Sequence, residues 1–215
     1  MNPVFKQMSR IGIVPVIALD DAGDAAPLAE ALLKGGISCA EVTFRTAAAE
    51  ETIRKMSEEY PEMLVGAGTV LTTEQADRAA AAGAKFIVSP GLNPVTVKHC
   101  QEMEIPVIPG IMTPSEIELA LSLQLTEVKF FPAEAAGGIK MIKAMSAPYG
   151  NVRFMPTGGI SLANMEDYLS FQKVFACGGS WMVKKDLIQA GAFEQITELS
   201  RQAVQKKEEI RSCQK

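Results

Sequence analysis

Histidine is almost missing from this chain: His99 is the only one in 215 residues, and the four cysteines, Cys39, Cys100, Cys177 and Cys213, form no CxxC pair. Zinc-ligand spacing is therefore lacking, and such scattered thiols make no disulfide framework. No zinc site is expected. Basic residues are not in excess, since 21 Lys and Arg face 25 Asp and Glu, giving a formal net charge of −4 and a pI near 5.2. Binding a phosphate backbone needs the opposite balance, so nucleic acid is excluded as the expected partner. Long apolar runs are lacking as well. Nothing approaches a membrane-spanning length, and no signal-peptide core follows MNPVFKQMSR, so a cytoplasmic location and no membrane partner are expected.

What is present is a repeated unit. Short apolar runs rich in β-branched residues alternate with Ala/Leu/Glu-rich stretches of helical period along the whole chain, the pattern of successive β–α units. Eight strands are expected at Ile13–Leu19, Ala40–Phe44, Leu64–Ala67, Phe86–Ser89, Val107–Pro109, Glu127–Phe131, Arg153–Pro156 and Val174–Ala176, each followed by a helix. Eight such units in 215 residues make the expected fold an α/β protein, a single-domain (β/α)8 TIM barrel over 1–215, with an N-terminal lead-in and a C-terminal helix. Gly35-Gly36 and Gly83 suit helix ends. Helix caps are expected at Thr73, at Thr113 with proline in the first helical position, and at Ser161. The last helix is expected from Ala192 to Lys207, with EEIRSCQK frayed beyond it.

A parallel barrel carries its chemistry at the C-terminal ends of the strands. In the second strand, Glu41, Thr43 and Arg45 alternate onto one face, and charges fare better in a solvated barrel mouth than beneath helices, so this face is expected to point inward. Along an extended strand Glu41 and Arg45 lie roughly 13 Å apart, which puts the glutamate deep and the arginine at the rim. Lys129 sits near the end of the sixth strand, on the same face as Phe131. Two readings are open for it. Burial and the Arg45 cation favour the neutral amine that nucleophilic attack requires, whereas Glu41 could instead hold Lys129 as a structural ammonium.

PTGGIS and CGGSW follow the seventh and eighth strands as expected Gly-Gly turns, where backbone N–H groups at Gly158, Gly159, Gly178 and Gly179 and the Ser180 hydroxyl could cradle an anion. A phosphorylated ligand follows from that reading. His99 lies in a helical stretch away from the strand ends, so a surface or packing role is assigned to it. Cys39 and Cys177 read as small buried hydrophobes, and the eleven methionines as core filler.

Taken in order, EVTFRT, GAGTV, SPG, PGIMTP, VKFFPAE, PTGGIS and GGSWMV, spanning Ile11 to Val183, resemble the bacterial 2-keto-3-deoxy-6-phosphogluconate (KDPG) and 4-hydroxy-2-oxoglutarate (KHG) aldolase family. The resemblance implies a class I aldolase in which Lys129 forms a Schiff base with a 2-keto acid and Glu41 acts as acid/base, with no metal or dissociable cofactor required. It assigns the substrate carboxylate to Arg45 and Thr69, the pocket walls to Pro90 and Phe131, and the phosphate to Gly158, Gly159 and Ser180, with Thr157 and Gly179 beside them. It also implies a homotrimer in a bacterial sugar-acid pathway. The alternatives are a 2-keto-3-deoxy-6-phosphogalactonate aldolase, a barrel phosphosugar isomerase or epimerase, and a silent metabolite-binding barrel.

Overall fold

The computed structural model describes residues 2–213. Nine strands form: β1 (Ile13–Ile17), β2 (Cys39–Thr43), β3 (Leu64–Gly68), β4 (Ile87–Val88), β5 (Val107–Ile108), β6 (Gly110–Ile111), β7 (Glu127–Phe130), β8 (Arg153–Pro156) and β9 (Cys177–Gly179). Every pairing between them is parallel. One sheet runs β5-β4-β3-β2-β1-β9 and a second runs β6-β7-β8. The expected α/β fold of parallel strands is therefore present.

Two strand expectations are corrected. The predicted strand Val107–Pro109 is interrupted, because Pro109 has no N–H to continue the ladder. Its carbonyl still accepts the Lys129 N–H at 2.9 Å, and β6 begins one residue later. The predicted Val174–Ala176 strand forms instead at Cys177–Gly179, while Val174 makes a lone bridge to Phe154. A second lone bridge joins Thr157 to Gly178.

Each strand leads into a helix, β5 and β6 sharing one: α2 (Ala25–Lys34), α3 (Ala49–Glu59), α4 (Thr73–Ala81), α5 (Pro94–Glu102), α6 (Pro114–Ser122), α7 (Gly138–Ser146), α8 (Met165–Leu169) and α9 (Lys185–Gln189) follow in turn. Thr113 caps α6 through a full capping box with Glu116, with proline in the first turn, as its sequence suggested. The α4 cap is Thr72 rather than Thr73, its side chain accepting from the Gln75 N–H. Ser161 caps no helix: its N–H donates to Asn164 Oδ1 at 2.8 Å, and α8 starts only at Met165. His99 on α5 reaches Asp77 on α4 at 2.7 Å, a packing role.

The strands separate two apolar layers by their period of two. Ala40, Val42, Val65, Ala67, Val128 and Phe130 face outward into the core beneath the helices. Val14, Cys39, Leu64, Phe86, Val88, Ile108 and Met155 face inward and meet in a separate cluster. Phe86 fills that space by passing over Gly66, where a Cβ would lie 2.4 Å from its ring. Cys39 and Cys177 are buried, and burial raises both thiols far above the usual cysteine range. They behave as packing groups.

The N-terminal lead-in is a helix, α1 (Pro3–Ile11), capped by the Asn2 side chain and closed by Gly12 in the left-handed conformation. It buries Phe5 and Met8 in the inner cluster, so it plugs the strand ends opposite those that bear the chemistry. The C-terminal helix, α10 (Phe193–Ser212), outruns its expected end at Lys207. Residues 208–212 are helical rather than frayed because Ile210 is buried and Arg211 Nη1 donates to the Arg10 carbonyl at 2.9 Å. The expectation for Gln214 and Lys215 lies outside the described residues. Among the described residues no helix is long and apolar enough to cross a membrane.

Candidate active site

Strand geometry delivers the deepest charges. Glu41 and Lys129 point inward near the C-terminal ends of β2 and β7, and Lys129 Nζ stands 3.2 Å from Glu41 Oε1. Their side chains are 0% and 7% exposed. Gly68 makes room for the carboxylate, since a Cβ there would lie 2.3 Å from Glu41 Oε1. Glu41 Oε2 is buried without a hydrogen-bond partner, a costly state for a carboxylate oxygen unless a ligand or water completes it.

The amine is paired but not walled in. A cavity of about 310 Å³ opens beside it, lined by Glu41, Arg45, Thr69, Pro90, Lys129, Phe131, Thr157, Gly158, Gly159, Gly179 and Ser180, whereas Gly178, also expected in the anion cradle, does not line it. That volume lies at the small end of the range for metabolite pockets. The sequence reading missed Val16 and Ile160, which also line it. Val16 was legible as the inward partner of Val14 two residues earlier.

Arg45 lies past the end of β2 in a tight turn, its N–H on the Thr43 carbonyl at 2.7 Å and its Nε on Thr43 Oγ1 at 3.1 Å. It remains exposed at the cavity rim, so the expected spread of charge from deep to rim holds although the strand stops at Thr43. Thr43 itself is a buried anchor, donating to the Ile17 carbonyl at 2.7 Å. The Phe131 ring centroid lies 5.4 Å from Lys129 Nζ, an arrangement that keeps the amine beside an aromatic face.

Of the two glycine pairs, only one is a turn. Gly158 and Gly159 have φ of 101° and 80°, conformations glycine adopts freely. The Thr157 carbonyl accepts from the Ala133 N–H at 2.8 Å and the Gly158 carbonyl from the Glu134 N–H at 3.1 Å. In a trans peptide the N–H points opposite to the C=O, so the N–H groups of Gly158 and Gly159 turn away from that strut. Gly178 and Gly179, expected as a second turn, lie inside β9. They are glycines for space: a Cβ on Gly178 would lie 2.3 Å from Thr157 Oγ1, and one on Gly179 2.0 Å from the Trp181 ring.

A family model for KDPG and KHG aldolases matches residues 4–199. The chain belongs to this family. It is a carbon–carbon lyase of the class I aldolase type. A 2-dehydro-3-deoxy-phosphogluconate aldolase of Treponema pallidum is 52% identical over 205 residues, covering 95% of this chain and 98% of that protein. A KHG/KDPG aldolase of Escherichia coli K12 is 48% identical, covering 90% and 91%. The crystal structure of a KDPG aldolase from Legionella pneumophila, with pyruvate captured as a covalent carbinolamine, superposes with a TM-score of 0.90 at 42% identity over 93% of this chain and 97% of that one.

Thr69 is the one strained residue on this aldolase's cavity wall, a β-branched side chain held at φ 55°, which costs on the order of 1 kcal/mol and persists where surroundings impose it. Thr69→Gly is expected to leave Tm unchanged or raise it by about 2 °C while lowering kcat/KM at least about tenfold. Calorimetry paired with steady-state kinetics checks both halves.

Proposed function

We propose that neutral Lys129 attacks the C2 carbonyl of 2-keto-3-deoxy-6-phosphogluconate, and that Glu41 moves the protons of the reaction. The pair at 3.2 Å beside an open cavity carries this reading. Glu41 takes the proton that frees the amine; after attack a nitrogen proton passes to the carbinolamine oxygen, and Glu41 gives its stored proton to that hydroxyl, so that it leaves as water and an iminium remains beside the restored carboxylate. The C4 hydroxyl then gives its proton to the Glu41 carboxylate, the C3–C4 bond breaks, and its electron pair flows into the iminium. Glyceraldehyde 3-phosphate leaves and an enamine remains. Protonation at C3 and hydrolysis release pyruvate and restore the amine. With 4-hydroxy-2-oxoglutarate the same steps release glyoxylate. The protein's own residues supply every proton transfer.

Arg45 and Thr69 hold the substrate carboxylate, and Pro90 and Phe131 shape the walls. Thr157 Oγ1, buried without a hydrogen-bond partner, offers a hydroxyl to the substrate. Gly158, Gly159, Gly179 and Ser180 receive the phosphate through backbone N–H groups and the serine hydroxyl. A lactate dehydrogenase-coupled assay on the phosphogluconate, phosphogalactonate and hydroxy-oxoglutarate substrates tests the reading. Pyruvate release, with the lowest KM for KDPG, is expected; conversion without pyruvate would mark an isomerase.

The fold belongs to the same proposal, as one closed (β/α)8 barrel forming a single domain over 1–215. Support comes from the bridges Phe154 to Val174 and Thr157 to Gly178, which tie β8 to the β9 segment, and from the single residue, Pro109, between β5 and β6. A homotrimer fits the exposed Leu71, Val95 and Met112, and a cytoplasmic location fits four free cysteines.

A further inference from the structure

The strut behind the Gly158–Gly159 turn contains an acid that faces the wrong way for an anion site. Glu134 donates its N–H to the Gly158 carbonyl, and its side chain lies directly under Gly159, where a Cβ would come within 2.6 Å of Glu134 Cγ. Its carboxylate is therefore within a few ångströms of the turn, yet Glu134 does not line the cavity. What holds it aside is the Tyr168 hydroxyl, which donates to Glu134 Oε1. Tyr168 is 1% exposed and among the largest fully buried side chains. Its ring is fixed in the core under α8, and its hydroxyl reaches the start of α7, where a Cβ on Gly138 would lie 3.1 Å from it. Burial, and then the Glu134 bond, raise this hydroxyl far above the usual tyrosine range, so it stays protonated and a donor at any working pH.

We infer that Tyr168 is a positioning residue for substrate selection: by tethering the Glu134 carboxylate behind the Gly158–Gly159 turn, it keeps a negative charge away from the substrate phosphate. This rests on the reading of that turn as the phosphate site. The tether acts on the phosphate end, because the reacting carbon and the C1 carboxylate lie at Lys129 and Arg45. An untethered carboxylate would repel a phosphate dianion a few ångströms away, and 4-hydroxy-2-oxoglutarate less, since its far carboxylate carries one charge and ends nearer the reacting carbon.

The test measures kcat and KM for KDPG and 4-hydroxy-2-oxoglutarate, and inhibition by inorganic phosphate, in the full-length protein. In Tyr168→Phe, KM for KDPG and the phosphate Ki are expected to rise about fivefold, with KM for the hydroxy-oxoglutarate and both kcat values within about twofold of the parent. Adding Glu134→Gln to Tyr168→Phe removes the loose charge and is expected to restore KM for KDPG, which repair of a merely structural defect would not do. Equal losses on both substrates, or no recovery in the double variant, would overturn the proposal. If the parent protein is not inhibited by phosphate and does not prefer KDPG, the phosphate site itself is wrong and the inference falls with it. Phosphate inhibition in the parent, unchanged in Tyr168→Phe, would sink the tether alone.

Discussion

Replacing Lys129 with Ala is expected to lower kcat for KDPG cleavage on the order of 10⁵-fold, because no other amine lines the cavity and the bond-breaking step loses its electron sink. The backbone survives the change, since the Lys129 N–H still bonds the Pro109 carbonyl. Stability does not survive unaltered. Removing the cation leaves Glu41 buried at 0% exposure without its partner, and breaking a buried pair from one side costs up to about 3–5 kcal/mol. The double variant Lys129→Ala with Glu41→Gln, which buries no lone charge, is expected to recover most of the lost Tm and none of the activity. Thermal melts and single-turnover kinetics on the two variants separate fold from chemistry, and a double variant as inactive as the single one but well folded is the expected result.

Glu41→Gln alone is expected to reduce kcat by about 10²–10⁴-fold, the usual value of a positioned general acid/base. Glutamine keeps the size that fits above Gly68 and keeps an oxygen for the Lys129 ammonium, but it cannot carry a proton. Carbinolamine dehydration and enamine protonation lack their proton carrier, and that loss sets the rate. Exchange of the pyruvate methyl hydrogens in D2O, followed by NMR, reads enamine protonation directly and should slow in parallel with kcat. Exchange at the parental rate in the variant would move the acid/base role to another group.

The repeat of strand and helix was legible because burial obeys simple periods. Inward Cys39, Glu41 and Thr43 alternate with outward Ala40 and Val42, and only this register places Glu41 in the cavity. The cavity residues were legible for a related reason: polar groups late in apolar strands have no stable place except the solvated mouth. The resemblance supplied Thr69, Pro90 and the individual roles, which no periodicity contains.

The departures come from packing that a linear reading does not weigh. Gly178 and Gly179 look like a turn, yet they are in the strand because Thr157 and Trp181 occupy the space their side chains would need. The Pro109 break depended on a proline at a position where the ladder needs an N–H. α1 carried its own signals, an Asn-Pro start, Phe5 and Met8 spaced for one face, and Gly12 at the end, but it precedes the first strand and so lies outside the β–α repeat that guided the reading. The last turn of α10 is held by Arg211 reaching back to Arg10, a contact separated by nearly the whole chain. Glu134 and Tyr168 went unmarked because a carboxylate in the turn after β7 and a phenol on α8 have no distinguishing spacing.

The most direct measurement is mass spectrometry of the protein after incubation with pyruvate and borohydride, with peptide mapping. One reduced pyruvate unit on Lys129, and none in Lys129→Ala, is the predicted result. A parent protein that cleaves KDPG at full rate while remaining unmodified, or that carries the adduct on another lysine, would contradict covalent catalysis by this amine.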